Sequence, residues 1–472
     1  MGRFVERLEG SVRLYVFEEL YIVPGRAPVD PDRVSVETRF SRNIRLSIPV
    51  ASAPMDMVTG VEMAVALALH GGIGVLHRNC SREEQVEMAR RVKEHPAVPL
   101  TRLHLSPDTP ACRALGELRA AGVRDAPVVD ASGRVLGYAS LAGLRRCCRE
   151  GLRVASCTTR GRVYSLGEAV EALRGLEAGG RDTAAIVSRE GGLYLGTVVF
   201  DAVFQDYSPS LDEEGRLRVA AAISPFDAER AKMLDRFVDA LVSDVAHFHN
   251  DNVLRAAARL VKEVSADFVA GNIGTAEAAR DVVSAVERVD GLRVGIGGGS
   301  ICVTAQVAGA FAPTPWAVAQ VRDALEELGA ADETPVIADG GIRTPADAVK
   351  SLALGASCVM LGYVLAGTDE ASAPLIRVGD RAYKPYRGMA SRGALERRFA
   401  ADRYSRVVKR VPEGLEGLVE YRGPVSRVLA EFIEGVKAGM GYAGASSIRE
   451  LWEKAVLGRA PPRGERGLIL GI

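Results

Sequence analysis

Short runs of Val, Ile, Leu and Ala recur along the chain, nearly all closing on Gly, Ser, Asp, Asn or His. They read IPVASA (48–53), GGIGVLH (71–77), LRVAAAIS (217–224), DALVSD (239–244), ADFVAGN (266–272), GLRVGIGGG (291–299), TPVIADGG (334–341) and ASCVMLG (356–362). The apolar positions are continuous rather than alternating, as in strands buried on both faces of a parallel sheet. Between most of them lies an amphipathic helical stretch of about 15 residues, such as TAEAARDVVSAVERV after Asn272. Strand starts recur about every 22–27 residues, the period of a β/α unit. Eight such units predict an α/β fold, a (β/α)8 TIM barrel.

Two gaps break the rhythm. From His77 to Leu217 no barrel strand is predicted, and two similar segments occupy the gap: DAPVVDASGRVLGYASL (125–141) and TAAIVSREGGLYLGTVVF (183–200). Each follows a helical stretch and reads strand, Gly-containing turn, strand, so a repeat of about 58 residues predicts an inserted two-module domain. The expected domains are therefore 1–95 and 211–472 for the two parts of the barrel, with 96–210 inserted. The second gap, 299–334, holds SICVTAQVAGAFAPTPWAVAQ, too long for an ordinary turn at the carboxyl end of a strand. The last 110 or so residues carry YKPYRGMASRGALERRF and DRYSRVVKRVPEGLEGLVEYRGP, whose aromatic content suits a mobile lid better than a linker.

Composition narrows the class. The 472 residues are 47% hydrophobic and 25% charged, with 60 basic and 60 acidic side chains, so no global field points to nucleic acid or an acidic membrane. No run of about 18 apolar residues and no apolar signal core at the start occur, which predicts a cytoplasmic protein. Seven scattered cysteines (80, 112, 147, 148, 157, 302, 358) predict reduced thiols rather than a disulfide framework. No CxxC or HExxH supports zinc; His247 and His249 are spaced like a metal pair but lack a third ligand. Abundant Arg and Ala suit a hot-living or GC-rich source.

Barrel enzymes build their sites at the carboxyl ends of the strands. There, Gly295–Cys302 sets four glycines and Ser300 before a thiol, on a loop where backbone closely approaches a ligand. An accessible, polar surrounding is what a nucleophilic cysteine needs. Cys358, inside ASCVML, reads instead as inert core. ADGGIRTP (338–345) and MLGYVLAG (360–367) close strands seven and eight, the loops that commonly hold a phosphate. Asp339 reads either as a ligand contact or as a cap for the following helix.

At these residues a resemblance enters. SRNIRLSIPVASAPMDMVTGVEMAVALALHGGIGVLHRNCSREEQ, VAGNIGTAEAARD, GLRVGIGGGSICVT, PVIADGGIRTPADAVKSLALGAS, YRGMAS and DRYSRVVKRVPEGLEGLVEYRGPVS resemble, in order, segments of the IMP dehydrogenase / GMP reductase family. The resemblance is closest to its inosine-5′-monophosphate dehydrogenases, and the insertion is similar to their paired cystathionine-β-synthase (CBS) domain. It implies oxidation of IMP to XMP in guanine nucleotide (GMP) biosynthesis: Cys302 attacks carbon 2 of the purine, hydride passes to NAD+, and water hydrolyses the thioimidate. It also implies that Thr304 positions the water and that Arg403, beside Tyr404, acts as base, an unusual task for so basic a group. Asp339 would hold the ribose; Ser300, Gly341, Gly362, Tyr363 and Tyr386 the phosphate; Met55, Gly388, Met389, Ala390 and Glu413 the base. Asp244, Asn272, Gly295 and Gly297 would face the NAD cofactor. The carbonyls of Gly297, Gly299 and Cys302 would hold potassium, a hard cation suited to oxygen ligands. A homotetramer, or an octamer, is implied as well.

The chain departs from that pattern in places, as a divergent member. Tyr363 stands where Ser is usual, Phe248 and Ala390 where Gly is usual, and AQVAGAFAPTPWAV lacks the usual Thr-Arg and Pro-Gln. Asp244–Val245–Ala246 leans toward the GMP reductase branch, which consumes NADPH, whereas Arg403–Tyr404 and VPEGLEG lean toward the dehydrogenase. Tyr363 and Phe248 also motivate a third reading, a nucleotide-binding regulator without catalysis, against which Cys302, Thr304 and Arg403 speak. In the insertion, Gly143 and Ala202 replace the Asp expected to hold a ribose, which leaves adenine or guanine nucleotide binding and a purely structural role both open.

Overall fold

The computed structural model describes residues 7, 10–98, 100–178, 181–188, 191–199, 207–396 and 412–460. In chain order the strands include β1 (Val50–Ser52), β2 (Ile73–Leu76), β3 (Asp125–Val129), β4 (Val135–Ser140), β5 (Thr183–Val187), β6 (Tyr194–Val199), β7 (Val219–Ile223) and β8 (Ala240–Ser243). They continue as β9 (Asp267–Ile273), β10 (Gly291–Val294), β11 (Val336–Asp339), β12 (Cys358–Leu361), β13 (Ile376–Val378), β14 (Arg381–Arg387) and β15 (Glu416–Glu420). The helices are α1 (Ala111–Ala120), α2 (Leu141–Arg149), α3 (Ala169–Ala178), α4 (Thr304–Ala308) and α5 (Pro345–Ala353).

All eight apolar runs form the wall of one closed parallel barrel, in the order β7-β8-β9-β10-β11-β12-β1-β2. Every residue of β7, β8, β9, β10 and β12 is buried, because one face fills the barrel and the other lies under helices. Inside pack Ile73, Val75, Ala220, Ala222, Ala240, Val242, Val269, Ile337, Cys358 and Met360, with Phe40, Ile44 and Leu46. Branched residues alternate with alanines, so the interior closes as packed core rather than a pore. Gly74 shows why glycine falls in this wall: a Cβ there would lie 2.4 Å from Ala64 Cα, on the helix Val61–Leu69. The expected core role of Cys358 holds; it is fully buried and its thiol is pushed far up by desolvation.

The chain divides into two compact units, one of residues 1–93, 207–212 and 218–472, the other of 94–206 and 213–217. In the second unit β3 pairs antiparallel with β4, and β5 with β6, giving two like modules. Around Ala126, Val128 and Ala139, the first module packs Ala114 and Leu118 of α1 and Leu144 and Cys147 of α2. The second packs Ala172 and Leu176 of α3 against Ala184, Ile186 and Val198. Tyr138 ties the modules together: its hydroxyl donates to Arg162 O at 2.7 Å and accepts from Ala185 N at 2.8 Å.

The reduced-thiol expectation fails at one place. Cys112 on α1 and Cys148 on α2 form a disulfide across 36 residues, with Cα atoms 4.6 Å apart. The antiparallel helix pair brings them together, a proximity that linear spacing does not display. Cys80, Cys147, Cys157, Cys302 and Cys358 take no part in a disulfide. Among the described residues no helix is long and apolar enough to cross a membrane.

Candidate active site

A cleft of about 580 Å³ opens at the carboxyl ends of the barrel strands. Its floor is the loop after β10. Gly295 takes φ +127°, and a Cβ there would stand 2.2 Å from Asp339 O, so the chain passes only as glycine. The loop ends at Cys302, half-buried on the cleft wall, and continues into α4.

Cys302 Sγ lies 3.2 Å from Thr304 Oγ1, which donates to Glu413 Oε2 at 2.8 Å. Glu413 is buried and held by backbone: Val303 N donates to its carbonyl at 2.9 Å, and Leu415 N donates to Ile301 O at 2.8 Å. The segment around Glu413 thus lies as a short antiparallel bridge along the cysteine loop, pairing Cys302 with Gly414. A thiol, a hydroxyl and a carboxylate form one hydrogen-bonded chain, able to carry a proton from sulfur to carboxylate. The resemblance suggested Glu413 only as a neighbour of the purine; the contact with Thr304 was not foreseen.

Asp339, at the end of β11, is oriented from behind. Its Oδ2 accepts from Asn272 Nδ2 at 2.8 Å and from Arg293 Nε at 2.9 Å, while Oδ1 has no hydrogen-bond partner among the described residues. Asn272 also donates to Gly295 O at 2.9 Å. Arg293 reaches Asp244 Oδ1 through Nη1 at 3.3 Å, and Arg78 holds Asp244 from the other side at 3.3 Å. Burial opposes the charge of Arg293, but Asp339 and Asp244 outweigh it and raise its pKa above the ordinary arginine value. Neither Arg293 nor Arg78 was singled out from the sequence. A lone Arg in an otherwise apolar strand was the available signal, since a buried guanidinium requires carboxylate partners.

On one side of the cleft lie Ser300, Gly341, Gly362, Tyr363 and Tyr386. Gly341 has φ +78°, and a Cβ on Gly362 would stand 3.0 Å from the Tyr386 hydroxyl. Burial and the charge of Asp339 push the Tyr386 hydroxyl up, so it stays a neutral donor. The bulk of Tyr363 is accommodated: its ring lies under the Arg422 guanidinium at 4.7 Å and 6.3 Å from the Tyr386 ring.

Met55, Gly388, Met389 and Ala390 line the middle. That stretch is anchored by an ion pair between Asp56 and Arg387, whose Nε donates to Asp56 Oδ1 at 3.2 Å. Asn79 adds a bond to Asp56 Oδ2 at 2.8 Å. Desolvation raises the Asp56 pKa, but the Arg387 and Asn79 hydrogen bonds and the Arg387 charge bring it below the usual value.

Beyond Cys302 the wall is Asp244, His247, Asn272, Gly297 and Phe311. Phe248, which stands where Gly is usual beside this side, is fully buried against Phe268 at 6.3 Å and does not line the cleft. His247 faces the cleft; His249 instead bonds Asp281 at 2.7 Å. No metal-binding group of three or more His, Cys, Asp or Glu occurs among the described residues. Gly297, Gly299 and Cys302 share one turn, where Cys302 N donates to Gly299 O at 3.0 Å. Arg403 and Tyr404 lie outside the described residues.

A closed parallel barrel whose open end presents one thiol beside glycine turns defines a barrel enzyme. Residues 14–466 match the family described as "IMP dehydrogenase / GMP reductase domain". An inosine-5′-monophosphate dehydrogenase of Korarchaeum cryptofilum is 43% identical over 93% of both chains. One of Thermoplasma acidophilum is 40% identical over 95% of this chain and 91% of its own. Among solved structures, a Trypanosoma brucei GMP reductase variant in complex with guanosine 5′-monophosphate is similar with TM-score 0.69 and 35% identity, covering 96% of this chain and 97% of that one. The chain therefore belongs to the IMP dehydrogenase / GMP reductase family.

Proposed function

We propose that the protein oxidises IMP to XMP, with Cys302 as nucleophile and NAD+ as cofactor. The observation that carries the reading is the hydrogen-bonded chain Cys302–Thr304–Glu413 on the wall of a nucleotide-sized cleft. The thiol proton passes through Thr304 toward Glu413 as sulfur bonds carbon 2 of the hypoxanthine ring. NAD+ supplies the acceptor for the hydrogen and electron pair that leave carbon 2. Water then adds to carbon 2 of the thioimidate, the carbon–sulfur bond breaks, and the thiol is regenerated as XMP departs. The family pattern gives Arg403 and Tyr404 to the water step.

The residues fit their proposed ligands. Asp339 keeps Oδ1 for the ribose hydroxyls while Oδ2 is locked by Asn272 and Arg293. Ser300, Gly341, Gly362, Tyr363 and Tyr386 would receive the phosphate, and Met55, Gly388, Met389 and Ala390 would flank the base. Asp244, Asn272, Gly295 and Gly297 suit the nicotinamide half of NAD, and the carbonyls of Gly297, Gly299 and Cys302 suit potassium. A homotetramer is the proposed assembly.

Pure protein with IMP and NAD+ should generate NADH absorbance. No NADH, together with consumption of GMP that requires NADPH, would instead favour the reductase, the reading that Asp244–Val245–Ala246 and the T. brucei likeness support.

The two-module unit is proposed as a CBS pair with a structural or assembly role. In its first module the Ser140 hydroxyl is spent capping α2, accepting from Gly143 N at 3.1 Å, and Gly143 offers no carboxylate. Calorimetry of the whole chain with ATP and GTP tests this; heat of binding beyond the barrel's own site would overturn it.

A further inference from the structure

The phosphate side of the cleft holds backbone amides and hydroxyls, yet a phosphate monoester carries close to two negative charges at neutral pH. A cation, Arg343, stands beside it, bonded to Ser300. Arg343 follows the Gly340–Gly341 turn, and its backbone is fixed: Arg343 N donates to Asp347 Oδ2 at 3.1 Å, within the capping box that starts α5. From there the exposed side chain reaches Ser300, donating from Nε to Oγ at 3.2 Å. That contact uses one of five guanidinium N–H groups. No described carboxylate lies within 4.0 Å of the guanidinium. The Asp347 carboxylate is already occupied by Arg343 N, Thr344 N and Thr344 Oγ1. The charge of Arg343 is also felt at the Tyr386 hydroxyl across the same pocket. The other nearby guanidinium, Arg422, is committed to the fold, donating to Val364 O at 3.0 Å and covering the Tyr363 ring.

We infer that Arg343 is the specificity-determining residue for the substrate's phosphate: its guanidinium, positioned by the Ser300 hydroxyl, bonds the phosphate oxygens and selects nucleotide over nucleoside. The inference rests on the reading that the substrate is a purine nucleoside monophosphate, and it adds the one formal positive charge that the amide and hydroxyl set lacks. Charge-assisted bonds of this kind are the strong ones in phosphate recognition.

The test uses the whole chain and two variants, Arg343→Gln and Arg343→Lys, with IMP and inosine affinities measured by calorimetry and turnover followed in parallel. Arg343→Gln should weaken IMP by about tenfold to a hundredfold, raise KM to match and leave kcat within about twofold. Arg343→Lys should recover part of the loss, and inosine affinity should be the same in all three proteins. IMP affinity within twofold of wild type in folded Arg343→Gln overturns the inference. So does equal weakening of IMP and inosine, which would make Arg343 only a brace for Ser300. Wild-type protein that binds IMP through Arg343 but makes no NADH overturns the functional reading and leaves Arg343 assigned. Turnover of IMP by wild type, with unchanged affinity in Arg343→Gln, does the reverse.

Discussion

Arg293 Nε donates to Asp339 Oδ2 at 2.9 Å, inside the barrel mouth and away from solvent. The same guanidinium touches Asp244 at 3.3 Å, so one buried cation orients both the carboxylate proposed for the ribose and the one beside the cofactor side. Arg293→Met leaves two carboxylates without their shared partner, and a broken buried pair of this type costs about 3–5 kcal/mol. The expected outcome is a large fall in thermal stability together with loss of turnover. Arg293→Lys should keep more stability than activity, because an ammonium cannot reproduce the fork that spans both acids. Equal retention of both in a thermal melt and a rate assay would contradict this.

Cys302→Ala should abolish turnover while IMP still binds, since the thiol is used only in bond making. Iodoacetamide should label Cys302 in wild type, and IMP should protect it. Labelling that is unchanged by IMP would remove the thiol from the substrate's path.

The Thr304–Glu413 contact is expected to act on rate rather than affinity. Glu413→Gln keeps the shape but weakens the proton acceptor at the end of the chain, so kcat should drop by about a hundredfold or more. KM for IMP should move little by comparison. A variant with wild-type kcat would show that the proton leaves sulfur by another route.

The Asp56–Arg387 pair gives a pH signature. The Asp56 carboxyl titrates below its ordinary value because Arg387 and Asn79 favour the anion. A depressed pKa contributes stability that is present above the unfolded value, about 3.9, and lost as pH falls through the folded value. The stability gap between wild type and Asp56→Asn should therefore be constant from neutral pH to about pH 5 and close at more acidic pH. Denaturant melts across that range check it; a gap that widens on acidification has the wrong sign.

In the two-module unit, Cys112→Ser opens a loop of 36 residues that the disulfide closes. Chain entropy assigns such a link about 2–4 kcal/mol. The module should melt earlier in the variant, and reductant should lower wild type to the same level. Identical melts with and without reductant would mean that the link adds nothing to stability.

Much of this architecture was legible from residues. The eight barrel strands announced themselves because both their faces are buried, which makes each an unbroken apolar run such as VAAAI in β7. The same logic separated Cys302, among glycines, from Cys358, among hydrocarbon. What stayed hidden depends on contacts between distant strands. Arg293 and Asp339 are 46 residues apart and meet only because their strands are neighbours in the barrel. Cys112 and Cys148 meet through a helix pair. The orientation of Phe248 was also hidden, because a residue type says nothing of which way its side chain turns; it lies in the core beside Phe268.

In the barrel wall, Gly74, Val75 and Leu76 of β2 pair directly with Val219, Ala220 and Ala221 of β7. More than a hundred residues thus depart from one stave of the cask and return on the adjoining one, without removing a rung between them. The two-module cassette is a detour rather than a splice. It can be lengthened, exchanged or discarded over evolutionary time while the hoop of strands beneath the thiol stays whole.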